Sequence, residues 1–236
     1  MLDRTQTVAS VVLDHSECAE VFQRHRIDYC CHGDTSIEAS ARTRGLDVET
    51  LVDELSRAIA ERRGDRRDDP RTLSTARLVA HIVSKHHEYL RKVLPFLDAL
   101  AQKVGRVHGE HDPLLRDLAS AVNELGSALL LHLDEEELKL FPALVAAERS
   151  SDVLRASFAS MVDDHLAVAS LLTRIRVASR DFTLPDWACN SYRTLFAELA
   201  QLEADIFTHV HLENHVLMPR FQTDGAARAE ASTAGS

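Results

Sequence analysis

Long apolar runs are missing from this chain. None approaches the roughly 18 residues a membrane-spanning helix needs, and the opening Met1-Leu-Asp-Arg-Thr-Gln lacks the charged head and apolar core of a secretion signal. A soluble, cytoplasmic protein is expected. Glycine and proline are scarce, at 8 and 6 of 236 residues, and aromatics make up 5%. With short β-branched runs the strand signal nearly vanishes, and the composition reads as all-α. The four cysteines, Cys18, Cys30, Cys31 and Cys189, do not make the repeated Cys-x2-Cys spacing of a zinc site. Positive charge is in deficit. The net charge of −10 argues against nucleic acid or an anionic membrane as a partner.

What is present is enough apolar residue, 45%, to bury a proper core. Residues 1–62 read as a small helical domain: an apolar-periodic stretch from Val8 to Phe22, a polar kink at Asp28-Tyr-Cys-Cys-His-Gly33, then short helices through Ala41 and from Val48 to Ala60. Residues 63–72 interleave arginine with aspartate and close at Pro70, which marks a solvated linker. Residues 73–221 hold four long helical patterns, near Ser74–Val104, Pro113–Ala147, Asp152–Ser179 and Pro185–Phe221. Short breaks between them force antiparallel neighbours, hence an up-down-up-down four-helix bundle. Residues 222–236 are small and polar, and disorder is expected there.

One skeleton is written twice. His132-Leu-Asp-Glu-Glu136 runs on to Phe141-Pro142, and His209-Val-His-Leu-Glu213 runs on to Met218-Pro219. On a helix, residues four apart share a face, so each copy aims one imidazole and one carboxylate at a single point. With 13 His and 17 Glu in the chain, about one His-x-x-x-Glu is expected by chance, so the pattern alone decides nothing. Register decides more. His87 lies 45 residues before His132 and His165 lies 44 before His209, so a three-ligand unit recurs at an offset of 77 or 78 residues.

Four imidazoles and two carboxylates suit first-row metals that accept mixed nitrogen and oxygen donors, above all iron and manganese, with zinc a further candidate. The economical arrangement gives each of two metals two histidines and shares Glu136 and Glu213 between them, leaving positions for water, oxide or a small gas. Burying these six groups without a cation would be very costly. His86, His211 and His215 fall on other helix faces, where solvent-facing or supporting roles are expected. His108 and His111 read as surface, and Asp163 and Asp164 as a solvated face. The vicinal Cys30-Cys31 pair fits a thiolate ligand, a redox couple or small buried apolar residues.

At this point the chain resembles the hemerythrin-like di-iron proteins of the RIC type, for repair of iron centres. The resemblance covers nearly the whole chain: Asp28-Tyr-Cys-Cys-His-Gly33 matches the family's double-cysteine motif, and His87, His132, Glu136, His165, His209 and Glu213 fall on its di-iron ligands. It implies two non-haem irons, oxo- and carboxylate-bridged, that serve to restore iron-sulfur clusters after nitric oxide or peroxide damage. The route is iron donation or nitric oxide chemistry of a reductase type. Partners would be iron-sulfur proteins or their assembly machinery, together with nitric oxide and oxygen, the chain acting as a monomer or homodimer. Cys30 and Cys31 would assist by capturing iron or exchanging electrons, with Tyr29 and His32 tuning the thiols. His32 stands where small residues are usual in the motif.

Oxygen-carrying hemerythrins add a histidine where this chain has Ala169 and end in His-x4-Asp, where this chain has His-x3-Glu. Reversible oxygen carriage is disfavoured, and an oxygen or nitric oxide sensor is the alternative reading. Ferritin-like proteins need Glu-x-x-His on two helices, a pattern this sequence lacks.

Overall fold

A computed structural model describes residues 2–61, 69–148 and 150–222. Most of the expected linker at 63–72, and all but the first residue of the expected tail at 222–236, lie outside the described residues. Among them no strand forms, and a single isolated bridge pairs Thr7 with Ser36. The helices are α1 (Val8–Asp14), α2 (Cys18–Arg24), α3 (Ile37–Thr43), α4 (Val48–Glu61), α5 (Thr75–Ile82), α6 (Glu88–His108), α7 (Leu114–Glu135), α8 (Phe141–Val145), α9 (Ser151–Ala178) and α10 (Asn190–Leu212). They sort into two compact units: Ser74–Ile206, and the chain up to Leu73 together with Phe207 onward. The division falls inside α10 rather than at its end.

The unit Ser74–Ile206 is the helical bundle. Its helices bury leucine stripes at helical spacing; on α7 these are Leu118, Val122, Leu125, Leu129 and Leu133, none more than 1% exposed. Each such side chain contributes about 1.5–3 kcal/mol. The contacts fix the directions. Between α6 and α7, Gln102 reaches the Ala119 carbonyl, Asn123 reaches Asp98 and Arg91 reaches Asp134, so the lower numbers of one helix meet the higher numbers of the other. The same inverse order runs from α7 to α9, with Arg174 on Asp117 and His132 on Asp164. On α10, Asp205 meets His86 and Ser191 meets Lys103. Consecutive helices are antiparallel, up-down-up-down. Gly105 lets α6 approach α7 closely, since a Cβ there would stand 2.9 Å from the Leu115 carbonyl oxygen.

Two of the long bundle helices are interrupted at the expected ligands. A π-helical turn covers Val83–His87 between α5 and α6, and another covers Glu136–Leu140 between α7 and α8. A third covers Glu213–Leu217, after α10. Pro142 and Pro219 follow two of these turns. Each lacks an N–H, and in a regular helix its ring would press on the carbonyl four residues back; a wider turn relieves both problems. No proline follows the Val83–His87 turn at that distance.

In the other unit, the periodic stretch expected to run from Val8 to Phe22 breaks into two helices at His15-Ser-Glu, where Asp14 and Ser16 are turn-favouring residues. Thr7 and Ser36 cap α1 and α3 through their hydroxyls. Phe22, Ile37, Leu51 and Leu55 form a small core. The chain from Phe207 onward joins this unit through specific bonds: His211 to the Tyr29 carbonyl, Asn214 and His215 to the Cys30 carbonyl, and Arg220 to the Leu73 carbonyl.

Candidate metal centre

Within the bundle unit, His87, His132, Glu136 and His165 are all buried, at 0 to 3% exposure. His87 and Glu136 come from the two π-helical turns, His132 from the last turns of α7 and His165 from the middle of α9. Glu136 Oε2 stands 3.5 Å from His87 Nε2 and 3.4 Å from His132 Nε2, and His132 Nε2 lies 3.2 Å from His165 Nε2. Ligand atoms of His132, Glu136 and His165 lie within 4.8 Å of one another. Donors each about 2.1 Å from one cation, at tetrahedral to octahedral angles, stand about 3.0–3.4 Å apart. The spacing around Glu136 therefore suits a shared ion better than direct hydrogen bonds.

The backs of the rings are held by carboxylates. His87 donates its Nδ1 hydrogen to Glu137 Oε1 at 2.9 Å, and Arg91 donates to the same oxygen at 3.0 Å. Burial raises the Glu137 pKa, but these two donors outweigh it and leave the group below the ordinary carboxylate range. On the other side, His132 Nδ1 faces Asp164 Oδ2 at 3.4 Å. Burial, and then the charge of Glu135, push Asp164 upward. With Nδ1 committed outward, each Nε2 presents its lone pair inward, the tautomer a cation requires. Phe141 stacks on the His87 ring at 5.5 Å, which gives the apolar residue of the repeated skeleton a purpose.

A cavity of about 280 Å³ reaches this cluster, lined by His132, Glu136, Ser157, Ser160, Met161 and Asp164 among others. The cavity runs up to Glu136, whose carboxylate oxygens are themselves buried. The chemistry of the donors fits iron: three imidazoles and a buried carboxylate, a mixed nitrogen and oxygen set.

The remaining two sequence-predicted ligands, His209 and Glu213, are wholly buried in the unit that contains the N-terminal helices, with His209 Nε2 2.8 Å from Glu213 Oε1. The same turn has a second face toward the double-cysteine loop. His211 donates Nδ1–H to the Tyr29 carbonyl at 3.1 Å; Asn214 and His215 donate to the Cys30 carbonyl at 3.0 and 2.8 Å. His211 is neutral, its pKa pushed down to about 4 by burial and then by His215. His211 is buried and His215 half-buried, and both support the loop.

In that loop Asp28 Oδ1 accepts from the backbone N–H of Cys30 and of Cys31, both at 2.9 Å, and from the Cys30 thiol at 3.2 Å. Burial, then the contacts with Cys31 and Asp28, raise the Cys30 pKa well above its ordinary value, so at rest it is a thiol. Burial opposes ionisation of Asp28 too, but the hydrogen bonds from His32 and the two backbone amides prevail and lower its pKa. Tyr29 packs against Phe207 and edge-on to His211.

Sequence reasoning missed the supporting residues. Glu137, one position past the candidate ligand Glu136, was not singled out, while Asp164, read as part of a solvated face before His165, faces His132 on another helix. His86 is buried and donates to Asp205 at 2.9 Å. His108 and His111 sit against Trp187, ring centroids 5.6 and 4.5 Å away, apart from the four candidate ligands of the bundle unit.

Comparison with known proteins agrees with this geometry. Residues 78–221 match the hemerythrin HHE cation binding domain, and residues 4–59 match a domain of unknown function, DUF542. The iron-sulfur cluster repair protein ScdA of Staphylococcus haemolyticus (strain JCSC1435) is 32% identical over 223 residues, 94% of this chain and 100% of its own length. The iron-sulfur cluster repair protein YtfE of Yersinia pseudotuberculosis serotype IB (strain PB1/+) is 30% identical over 217 residues, 92% of this chain and 96% of its own. ScdA of Staphylococcus epidermidis (strain ATCC 12228 / FDA PCI 1200) is 29% identical over 223 residues, 93% of this chain and 99% of its own. With both domains in the same order and matches along nearly the whole length, the chain belongs to the RIC family of hemerythrin-like proteins.

Proposed function

We propose that this protein repairs iron-sulfur clusters damaged by nitrosative or oxidative stress, using two non-haem irons held by His87, His132, Glu136, His165, His209 and Glu213. The observation that carries the reading is Glu136, a buried carboxylate set between two imidazole Nε2 atoms whose ring backs face carboxylates. The duplicated register in the sequence and the family match support extending the same role to His209 and Glu213, and the two glutamates would then be shared between the irons.

Bound there, iron would supply a labile, redox-active centre able to leave for an acceptor or to bind nitric oxide. The protein's own residues do the rest. Glu137 and Asp164 fix the rings of His87 and His132, the apolar helix faces exclude bulk water, and the cavity beside Glu136 admits small molecules. Cys30 and Cys31 assist, by capturing iron in transit or by exchanging electrons. Partners are iron-sulfur proteins or their assembly machinery, with nitric oxide and oxygen as small ligands. No helix among the described residues is long and apolar enough to cross a membrane; a cytoplasmic location and a monomer or homodimer complete the proposal.

The test is to mix the anaerobically iron-loaded protein with an apo iron-sulfur protein, and separately with nitric oxide. Iron appearing in the acceptor as a rebuilt cluster supports donation, whereas nitrosyl turnover supports nitric oxide chemistry. An iron-loaded protein that restores no cluster and binds nitric oxide reversibly without consuming it would overturn the repair reading.

A further inference from the structure

The double-cysteine loop carries a donor set of its own, built from none of the six histidine and glutamate groups. Cys30 Sγ and Cys31 Sγ stand 3.7 Å apart, and Asp28 Oδ1 stands 3.2 Å from Cys30 Sγ. One ligand atom from each of the three residues lies within 4.8 Å of the other two. Two sulfurs bound to one cation at about 2.3 Å, with a tetrahedral angle between them, are separated by about 3.8 Å. The loop thus already holds its thiols at the bite of a thiolate-bound metal, far from the roughly 2.0 Å of a disulfide.

We infer that Asp28, Cys30 and Cys31 form a second, mononuclear cation site with two sulfur donors and one oxygen, taking a thiophilic first-row divalent ion such as ferrous iron or zinc. This deepens the role proposed above for the cysteines by committing it to metal capture, and it does not depend on the dinuclear centre. Two sulfurs reject magnesium and calcium, which prefer all-oxygen sites. Three protein donors leave one position of a tetrahedral ion open to water or an incoming ligand. Each thiol releases its proton to solvent as its sulfur bonds the cation, and Asp28 binds as a carboxylate. Uptake of one divalent ion therefore displaces two protons and transfers no electrons.

The loop is preorganised for this. Asp28 Oδ1 caps the backbone N–H groups of Cys30 and Cys31 while Oδ2 accepts from His32 Nδ1 at 2.8 Å. From the other side, His211, Asn214 and His215 grip the Tyr29 and Cys30 carbonyls. Gly33 lets the loop pack: a Cβ there would stand 2.6 Å from Ala9 Cβ and 3.0 Å from His215 Nε2. The three gripping side chains flank Glu213 on one turn, so the same turn that presents a proposed iron ligand also fixes the loop.

The full-length protein, titrated anaerobically with cobalt(II), tests the site, because only sulfur ligation gives thiolate-to-cobalt charge-transfer absorption. One equivalent of cobalt is expected to develop that absorption. C30S and C31S should abolish it, and C189S should leave it intact. D28N, whose amide oxygen can still cap the loop, should weaken cobalt binding about tenfold or more, with an unchanged circular dichroism spectrum. No charge-transfer band in the wild-type protein, a band that survives C31S, or wild-type affinity in D28N would each overturn the assignment. Iron content at the histidine and glutamate centre, measured in C31S, reads the dinuclear proposal separately.

Discussion

Removing the carboxylate behind His87 should loosen iron without touching any proposed ligand. In E137A, the His87 Nδ1–H loses an acceptor at 2.9 Å, at a ring that is 0% exposed. Depriving a buried donor of its acceptor costs about 1–3 kcal/mol. Partners of this kind are typically worth about 10–100-fold in metal affinity, which is about 1.4–2.8 kcal/mol, because the imidazole can then flip or change tautomer and turn its lone pair away. R91A is the control. It removes the second donor to Glu137 but leaves the His87 bond, so its affinity should stay within a few-fold of wild type. The assay is competition with a calibrated ferrous chelator, run anaerobically on the full-length protein, with circular dichroism to confirm folding. A folded E137A that holds iron as tightly as wild type would refute the claim that Glu137 aims His87 at a metal.

Other outcomes follow from the packing and the ion pairs. G33A should destabilise the unit containing α1–α4 by about 1–3 kcal/mol through overpacking, read by urea unfolding, because its methyl meets Ala9 and His215. The buried Asp112 accepts from Arg180 at 2.6 and 3.1 Å, and Arg180, followed by the Leu114 amide, lowers its pKa. A lowered folded pKa contributes stability that is fully present above the unfolded value of about 3.9 and is lost as pH falls through the folded value. D112N should therefore lose about 1–2 kcal/mol near neutral pH, the half-exposed Arg180 being partly screened. Its gap to wild type should close in acid, and a gap constant across that window would contradict the ion-pair account.

Much of this was legible in sequence because helical periodicity and ligand spacing share one geometry. The expected helix at Asp152–Ser179 is Ser151–Ala178 in the structure, and that at Pro113–Ala147 ends at Val145. The π-helical turns were not legible. One extra residue in a turn rotates the following face by about 100°, too little to erase the apolar pattern, and only Pro142 and Pro219 hinted at two of the three. Supporting residues escaped for another reason. Asp164 serves His132 across a helix interface, and adjacency in sequence to His165 says nothing about that. His211 and His215 read as a pair on another face of the last bundle helix, with solvent-facing or supporting roles and no partner named. The carbonyls of Tyr29 and Cys30 that they bond lie over 180 residues earlier, and no local pattern announces such a partner.

The central claim is that the six histidine and glutamate groups hold two irons bridged by Glu136 and Glu213. Anaerobic reconstitution followed by metal analysis and Mössbauer spectroscopy tests it most directly. The account predicts two irons per chain with the signature of a coupled pair, and loss of that signature in both E136L and E213L. Full-length protein with intact ligands that never binds more than one metal would contradict it.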